Sequence, residues 1–339
     1  DESGNWNEMG YLKPSNAGDS DVLGWVLSLD GDRVAVSAYR EDGDASSTVD
    51  ITNDNADAAG AVYVFKRNEN NGWEQEAYIK ASNAGADHFF GRSLSLQGDR
   101  LAIGASGESG DVTSTMEVPN TNAQYAGAVY IFERNENDQW VQQAYLKASN
   151  AEASDQFGSS VSLAGDLLAV GAAYEDGDSN STSILPNNNE LTAGAAYIFS
   201  RNDSNQWIEQ AYLKASNAEA SDWFGFSVLL KGERLFVGAT QEDGNADSTT
   251  ENPNNFVNKN AGAVYVFTPN NSDEWEQVDY LKAFNAGGNS GGGYNFGNAL
   301  DAEGDTLVIG SEREFGDADS TIDSPNTNII GAGAVYIWQ

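Results

Sequence analysis

The chain has 339 residues, no cysteine and a formal net charge of -35 from 52 acidic against 17 basic residues. The lack of cysteine excludes disulfides and thiolate metal sites. Because so negative a field repels phosphate groups, we expect neither nucleic acid nor an anionic bilayer as a partner. No apolar run reaches the roughly 18 residues of a membrane span. The start also lacks a signal-peptide pattern, which is typical of a mature or excised soluble piece.

One unit of about 67 residues is written five times along the chain. In chain order each unit has a Trp-to-YLK run, an FG-type pair with alternating Ser and apolar residues, a Gly-Asp or Gly-Glu turn into an LAVGA-like run, and an AGAVYVF-like run. These runs are short, rich in Val, Ile, Tyr and Phe, and bounded by turn residues, so they predict strands. The units start at Trp6, Trp73, Trp140, Trp207 and Trp275.

Four strands in each of five repeats predict an all-β fold, a five-bladed β-propeller of antiparallel blades in one domain over residues 1–339. The chain opens with a strand that has no predecessor, Trp6 to Lys13, and closes with only three strands. We therefore expect the N-terminal strand to complete the last blade and close the ring. The predicted blades span about 23–80, 90–147, 157–214, 224–282 and 296–339 together with 6–13.

The repeat resembles the FG-GAP repeat family through Phe157-Gly158, Val170-Gly171-Ala172 and Gly194-Ala195. This family builds the propeller of integrin alpha subunits and of many secreted bacterial proteins. The resemblance implies an extracellular or cell-surface location and a monomeric domain of a larger protein. Integrin-type repeats often bind calcium in a D-x-D-x-D-G loop between the first two strands. Here that connection is a tight turn such as Gly165-Asp166, so the family's calcium site does not carry over.

The loops between the second and third strands share a pattern of Glu, any residue, Gly, Asp or Asn, then Ser, Thr and a later Asn. Asp, Asn and Ser side chains bond nearby amides, which favours a loop that braces itself. Carboxylate and amide oxygens are also calcium ligands, so calcium is the predicted cofactor under the second interpretation. The candidate metal ligands are Glu41, Asp44, Glu108, Asp111, Glu175, Asp178, Glu242, Asn245, Glu314 and Asp317.

Loop residues that one blade has and the others lack are candidates for ligand contact, because binding residues gather on loops of a rigid scaffold. Loop aromatics can stack on sugar rings or hold a peptide side chain, and they can equally pack against neighbouring loops. The candidate ligand-binding residues are His88, Phe89, Tyr125, Trp223, Phe256, Tyr294 and Phe315.

Three functions fit this sequence. The first is a non-catalytic binding or adhesion module, stabilised by calcium, that recognises a glycan or peptide on its loop-rich face. The second is a structural spacer of a larger surface protein. The third is a polysaccharide-active enzyme using two carboxylates, for which the sequence singles out no pair. We expect no enzyme, because no nucleophile, zinc or phosphate-loop motif is present.

Overall fold

The computed structural model of the protein describes residues 6–182, 185–244, 260–286, 294–315, 320, 329 and 331–339. Within these ranges the chain forms strands and turns and no helix, so none of the described residues could span a membrane as a helix. Five antiparallel sheets contain four, four, four, four and three strands. They are the blades of a five-bladed β-propeller.

The strands follow one another as simple meanders, each paired with the next along the chain. Blade 1 holds β1 (Leu23–Asp30), β2 (Arg33–Ala38), β3 (Ala61–Arg67) and β4 (Trp73–Ile79). Blade 2 holds β5 (Phe90–Gln97), β6 (Arg100–Ala105), β7 (Ala128–Arg134) and β8 (Trp140–Leu146). Blade 3 holds β9 (Ser160–Ala164), β10 (Leu167–Ala172), β11 (Ala195–Arg201) and β12 (Trp207–Leu213).

The last two blades repeat this order. Blade 4 holds β13 (Phe224–Lys231), β14 (Arg234–Ala239), β15 (Ala263–Pro269) and β16 (Trp275–Leu281). Blade 5 holds β17 (Phe296–Glu303), β18 (Thr306–Ser311) and β19 (Ala334–Trp338). The first strands, β1, β5, β9, β13 and β17, contact one another in sequence, so they are the inner strands around the central channel.

Most of the hydrophobic core lies between blades, and one further cluster around Tyr63 and Phe65 belongs to blade 1 alone. The cluster between blades 2 and 3 joins Val129 and Ile131 of one blade to Phe157, Val161 and Leu163 of the next. Equivalent clusters fill the other three seams from blade 1 to blade 5. Each blade therefore depends on its neighbours for burial, as expected for a repeat architecture.

A glycine and a phenylalanine join each seam at the loop face. The amide of Phe224, the first residue of blade 4, donates to the carbonyl of Ala193 in blade 3 at 2.9 Å. The adjacent Gly194 has φ +86°, and a Cβ on it would lie 2.1 Å from the Phe224 carbonyl oxygen. Only glycine allows this approach, which explains why the FG and AG pairs occur together in the repeat.

Closure of the ring by residues 6–13 stays a prediction, because the described residues show no pairing of this segment with the last blade. Among them the last sheet has three strands, and the N-terminal residues Trp6 and Tyr11 are exposed. Pairing would require the seam between blades 5 and 1 to pack. The apolar residues that would fill it are exposed: Leu29 of β1 by 64% and Ile337 of β19 by 69%.

Replacing the seam glycine should destabilise the protein far more than replacing a turn glycine. Gly165 also has positive φ, at +61°, but a Cβ there would meet nothing within 4 Å. We expect Gly165→Ala to cost about 1 kcal/mol from backbone strain alone. Gly194→Ala adds the collision with the Phe224 carbonyl and should cost at least about 3 kcal/mol. Urea unfolding of both variants measures the difference, and equal losses would contradict this account of the seam.

Candidate functional site at the channel mouth

Two sets of residues meet on one face of the propeller. The inner strands start there and the second strands end there, so the face also carries the loops between second and third strands. One set recurs in every blade and lies in those loops. The other set differs from blade to blade and surrounds the opening of the central channel, which we call the channel mouth.

In the recurring set, a buried glutamate is bound to the outer strand of its own blade. Glu108 is fully buried, and its carboxylate accepts from the Lys147 ammonium at 2.9 Å and from the Gly110 amide at 2.9 Å. Asn83 donates to the same carboxylate at 3.2 Å and accepts from the Tyr130 hydroxyl at 2.6 Å. The Lys–Glu pair recurs as Lys80–Glu41, Lys214–Glu175 and Lys282–Glu242.

The aspartate of the same loops has a different set of partners. Asp111 accepts from the amide and hydroxyl of Thr113 at 2.8 and 2.6 Å, from Asn120 at 3.0 Å and from Asn122 at 3.0 Å. These donors hold the pKa of its carboxyl well below the usual range. Asp44 and Asp178 are bound in the same way. The loop therefore braces itself through side chains.

The predicted calcium ligands are not brought together. Lysine neutralises Glu41, Glu108, Glu175 and Glu242, and Asn285 donates to Glu314. The aspartates are bound by N–H and O–H donors, and the described residues contain no group of three carboxylates or histidines suited to a metal. These residues do not fit a calcium ion, which needs several free oxygens. Asn245 and Asp317 lie outside the described residues. Calcium binding stays a prediction, which metal analysis of the dialysed protein tests.

On one side of the channel mouth, blades 1 and 2 place three aromatic rings and a cation together. The ring centroids of Trp25 and Tyr39 are 4.8 Å apart, and Tyr39 lies 6.0 Å from Phe89. The Arg92 guanidinium carbon lies 4.8 Å from the Trp25 centroid and 6.0 Å from that of Tyr39. Burial lowers the pKa of Arg92. The guanidinium is thus held between rings across a blade seam.

A second aromatic group comes from blades 3 and 4. Tyr174 and Trp223 have centroids 5.4 Å apart, and Trp223 stacks on Phe226 at 6.2 Å with an interplanar angle of 11°. Phe226 is exposed and Trp223 is half-buried. Between the two groups opens a cavity of about 670 Å³, lined by residues of all five inner strands, including Trp25, Arg92 and Phe226. Its remaining walls carry hydroxyl and amide side chains such as Ser159 and Asn298, and apolar side chains such as Leu94, Val161 and Leu300.

A comparison with known protein families identifies the repeat described above. The FG-GAP repeat matches at residues 6–65, 73–132, 140–199 and 207–267, which together are more than half of the chain. The chain belongs to the FG-GAP repeat family. The fifth blade lies outside the matched residues, although its β17 starts with the Phe296-Gly297 pair. No individual curated protein matches the chain.

Among the residues predicted for ligand contact, the FG-GAP scaffold places Phe89 and Trp223 at the channel mouth. Both precede an FG-type pair directly and have positive φ, +55° and +58°. His88 is 8% exposed and sits behind this surface. Burial lowers the pKa of His88, and its Nδ1 has no hydrogen-bond partner among the described residues. Among the described residues His88 is thus a packing residue, and its contact with a ligand stays a prediction.

The other predicted contacts lie away from the mouth. Tyr294 and Phe315 are buried and pack edge to face at 5.5 Å, so they are core residues rather than exposed stacking surfaces. Tyr125 is half-buried in the seam between blades 2 and 3, where its carbonyl accepts from the Gln156 amide at 3.0 Å. Phe256 lies outside the described residues.

Sequence reasoning missed Trp25, Tyr39, Arg92, Tyr174 and Phe226. The sequence does contain a signal for three of them, because the residue that follows the FG-type pair differs in all five blades. The five blades carry Trp25, Arg92, Ser159, Phe226 and Asn298 there. Comparing that position across the five repeats points to the channel mouth.

The buried glutamates provide a matched test of the recurring network. In blade 5, Asn285 donates to Glu314 at 2.7 Å, but no ammonium group contacts Glu314 within the described residues. Lys13, which has the equivalent sequence position, is exposed. Burial accordingly raises the pKa of Glu314. Glu108→Gln should cost about 3–5 kcal/mol by leaving Lys147 buried without its partner, whereas Glu314→Gln should leave the free energy of unfolding unchanged or slightly higher.

Chemical denaturation of the two glutamine variants measures both values. A loss at Glu314 as large as that at Glu108 would contradict the structure, because it would mean that Glu314 has a cationic partner in solution. Lys13 in a closed ring would be the first partner to test.

Two aspartates at the blade seams should make stability depend on pH. Burial raises the pKa of Asp155 and that of Asp222 to about 8. Each carboxylate accepts from a turn amide, that of Glu152 at 2.8 Å and that of Glu219 at 3.0 Å. An unfolded aspartate ionises near pH 3.9. Between about pH 4 and pH 8 the folded state therefore binds more protons than the unfolded state. The contribution of these aspartates to the free energy of unfolding is fully present below about pH 4 and is lost as the pH rises through about 8.

Asn at both positions keeps an acceptor oxygen and removes the titration. The melting temperature of the Asp155→Asn, Asp222→Asn variant should exceed that of the parent protein above pH 8, and the gap should shrink toward pH 5. Asp203→Asn, in an exposed turn, is the control. A gap that is the same at every pH would refute the assignment.

Proposed function

We propose that this FG-GAP propeller is a non-catalytic binding module that takes an extended ligand, a glycan or a peptide, at the channel mouth. One observation carries the proposal. Unrepeated aromatic rings from four blades gather around one open cavity of about 670 Å³, although the repeats differ little elsewhere. A purely structural spacer has no need of this variation, because repeated residues alone build its seams.

The physical chemistry of the mouth supports binding. Trp25 is 45% exposed, and Phe226 is also exposed, so both present ring surface to a ligand. Rigid aromatic rings give contact area at little cost in conformational entropy, which is why they dominate binding surfaces. Trp25 and Phe226 stand on inner strands, Phe89 and Trp223 on short seam turns, and Tyr39 and Tyr174 within two residues of the ends of second strands. The site is therefore preformed, and binding loses little free energy to ordering it.

Two features support a binding role over catalysis. The carboxyls whose pKa burial raises to about 8, Asp155 and Asp222, belong to different blades, and each accepts from an amide of its own turn. Neither lines the cavity at the mouth. The repeated carboxylates of the loops are held by lysine or by amide and hydroxyl donors. A pair of free carboxylates facing a substrate, which glycoside hydrolysis requires, is not found among the residues around the mouth.

The proposed setting is extracellular or at the cell surface, in a larger protein. FG-GAP repeats are typical of such proteins, and the net charge of -35 suits a highly solvated surface. Adhesion through the channel mouth then requires only that the face with the loops points away from the rest of the protein. Calcium is not needed for this proposal, because the loops brace themselves.

Truncating one aromatic ring at the mouth should weaken binding without unfolding the protein. On a glycan array and a peptide library, the parent protein should retain a small set of ligands, and Trp223→Ala should weaken the best of them by at least about tenfold. Val278→Ala is the control, because Val278 is 53% exposed on the outer strand of the same blade. Retention of no ligand in either collection would favour the spacer function, and equal losses in both variants would place the site elsewhere.

A further inference from the structure

We propose that the channel mouth recognises an acidic glycan, with the Arg92 guanidinium binding the anionic group of one sugar and the aromatic rings stacking on its neighbours. This inference deepens the proposed function and rests on it. It assigns a negative charge to the ligand and names Arg92 as the residue that binds this charge.

The charge of Arg92 is not balanced by a carboxylate. The other partly buried arginines among the described residues all form salt bridges, as Arg33 does with Glu76 at 2.9 Å and Arg100 with Glu133 at 2.9 Å. Arg92 forms no salt bridge with any described residue, and the ionisable groups that act on it are the tyrosines 39 and 174. In a protein with 52 acidic residues and 17 basic ones, a partly buried guanidinium without a carboxylate is an exception.

Arg92 lies at the wall of the cavity at the channel mouth. It follows the Phe90-Gly91 pair on the inner strand β5 and lines the cavity together with Trp25 and Phe226 from other blades. The guanidinium lies over the rings of Trp25 and Tyr39, and no hydrogen bond of its N–H groups is found among the described residues. A guanidinium fork held flat in this way is preorganised for two parallel hydrogen bonds to a carboxylate or a sulfate.

The side chains around the cavity suit a sugar chain. Besides apolar residues, the lining includes the hydroxyl and amide side chains of Ser93, Ser159, Ser160, Gln156 and Asn298. The three serine hydroxyls donate to backbone carbonyls and keep lone pairs that can accept from sugar hydroxyls. Aromatic rings match the C–H face of a pyranose, and they come from blades 1 and 2 and from blades 3 and 4. Several consecutive sugars can therefore cross the mouth with one anionic group over Arg92.

The acidic surface opposes the approach of any polyanion, so the test is done at about 0.15 M salt, where the Debye length is about 8 Å. The probes are oligogalacturonate, the same oligomer as its methyl ester, a sulfated galactan oligomer and the neutral galactan. The ester keeps the sugar shape and loses the charge. Comparing the affinity for the carboxylate oligomer with that for the sulfated oligomer then shows which anionic group the protein binds.

The parent protein should bind one acidic oligomer at least about tenfold more tightly than its neutral counterpart. Arg92→Gln should lose that preference while still binding the neutral oligomer weakly. Arg92→Lys, which keeps the charge and loses the fork, should retain part of it. Arg313→Gln removes an exposed arginine from the equivalent face of blade 5 and is the matched control. Thermal melts of all three variants verify that they fold.

The outcomes separate the two proposals. Glycan binding without preference for the acidic oligomers overturns the role of Arg92 and leaves the proposed function standing. A preference that survives Arg92→Gln in a folded variant also overturns it, because the anion must then bind elsewhere. If no oligomer binds while peptides do, the mouth is a peptide site and the inference fails. If nothing binds, both proposals fail.

Discussion

The close approach of a phenylalanine carbonyl to a glycine of the preceding blade is the contact on which the propeller depends. Gly127, Gly194 and Gly262 each form a parallel bridge to the phenylalanine that opens the next blade. The ring of that phenylalanine then packs edge to face on the tyrosine and phenylalanine of its own third strand, as Phe157 does on Tyr197 and Phe199. One residue thereby fixes both the distance between two blades and the packing inside one. The same contact sets where every inner strand starts, and so the position of the channel mouth.

The buried Lys–Glu pairs connect this seam to the loops above it. Lys147 donates to Glu108 at 2.9 Å and also to the carbonyl of Gly127, the seam glycine. An outer strand, a loop and a seam therefore meet at one ammonium group. Burial lowers the pKa of the lysine, and the nearby carboxylate opposes that shift. Such pairs add little net stability compared with apolar residues, but breaking one leaves a buried charge, so they favour a single arrangement of the loop.

Much of this fold could be predicted from the sequence, because five copies of one unit repeat the same turn and strand signals. The turn glycines, the four strand runs and the FG and AG pairs all lie where the repeats place them. The pairing of Glu108 with Lys147 could not be predicted in this way, since the two residues are 39 apart in sequence and join only when the sheet forms. Glutamate was therefore interpreted as a free oxygen ligand. Closure of the ring depends on contacts of the same kind: the first and last strand runs complement each other in sequence, but closure also requires a seam that buries Leu29 and Ile337, which are exposed.

Residues that recur in every blade form the scaffold, and residues that differ between blades form the site. The two sets also differ in their charged groups. The recurring carboxylates at the loop face are neutralised by lysine or held by hydroxyl and amide donors, so they do not project free oxygens toward the channel. The channel mouth itself is lined by rings, apolar side chains, hydroxyls, amides and the Arg92 guanidinium. A strongly acidic protein thus surrounds an opening that carries a cation without a carboxylate partner among the described residues. The rings of Trp25 and Tyr39 stabilise this cation in place of a carboxylate, which leaves its charge available to the anionic ligand proposed above.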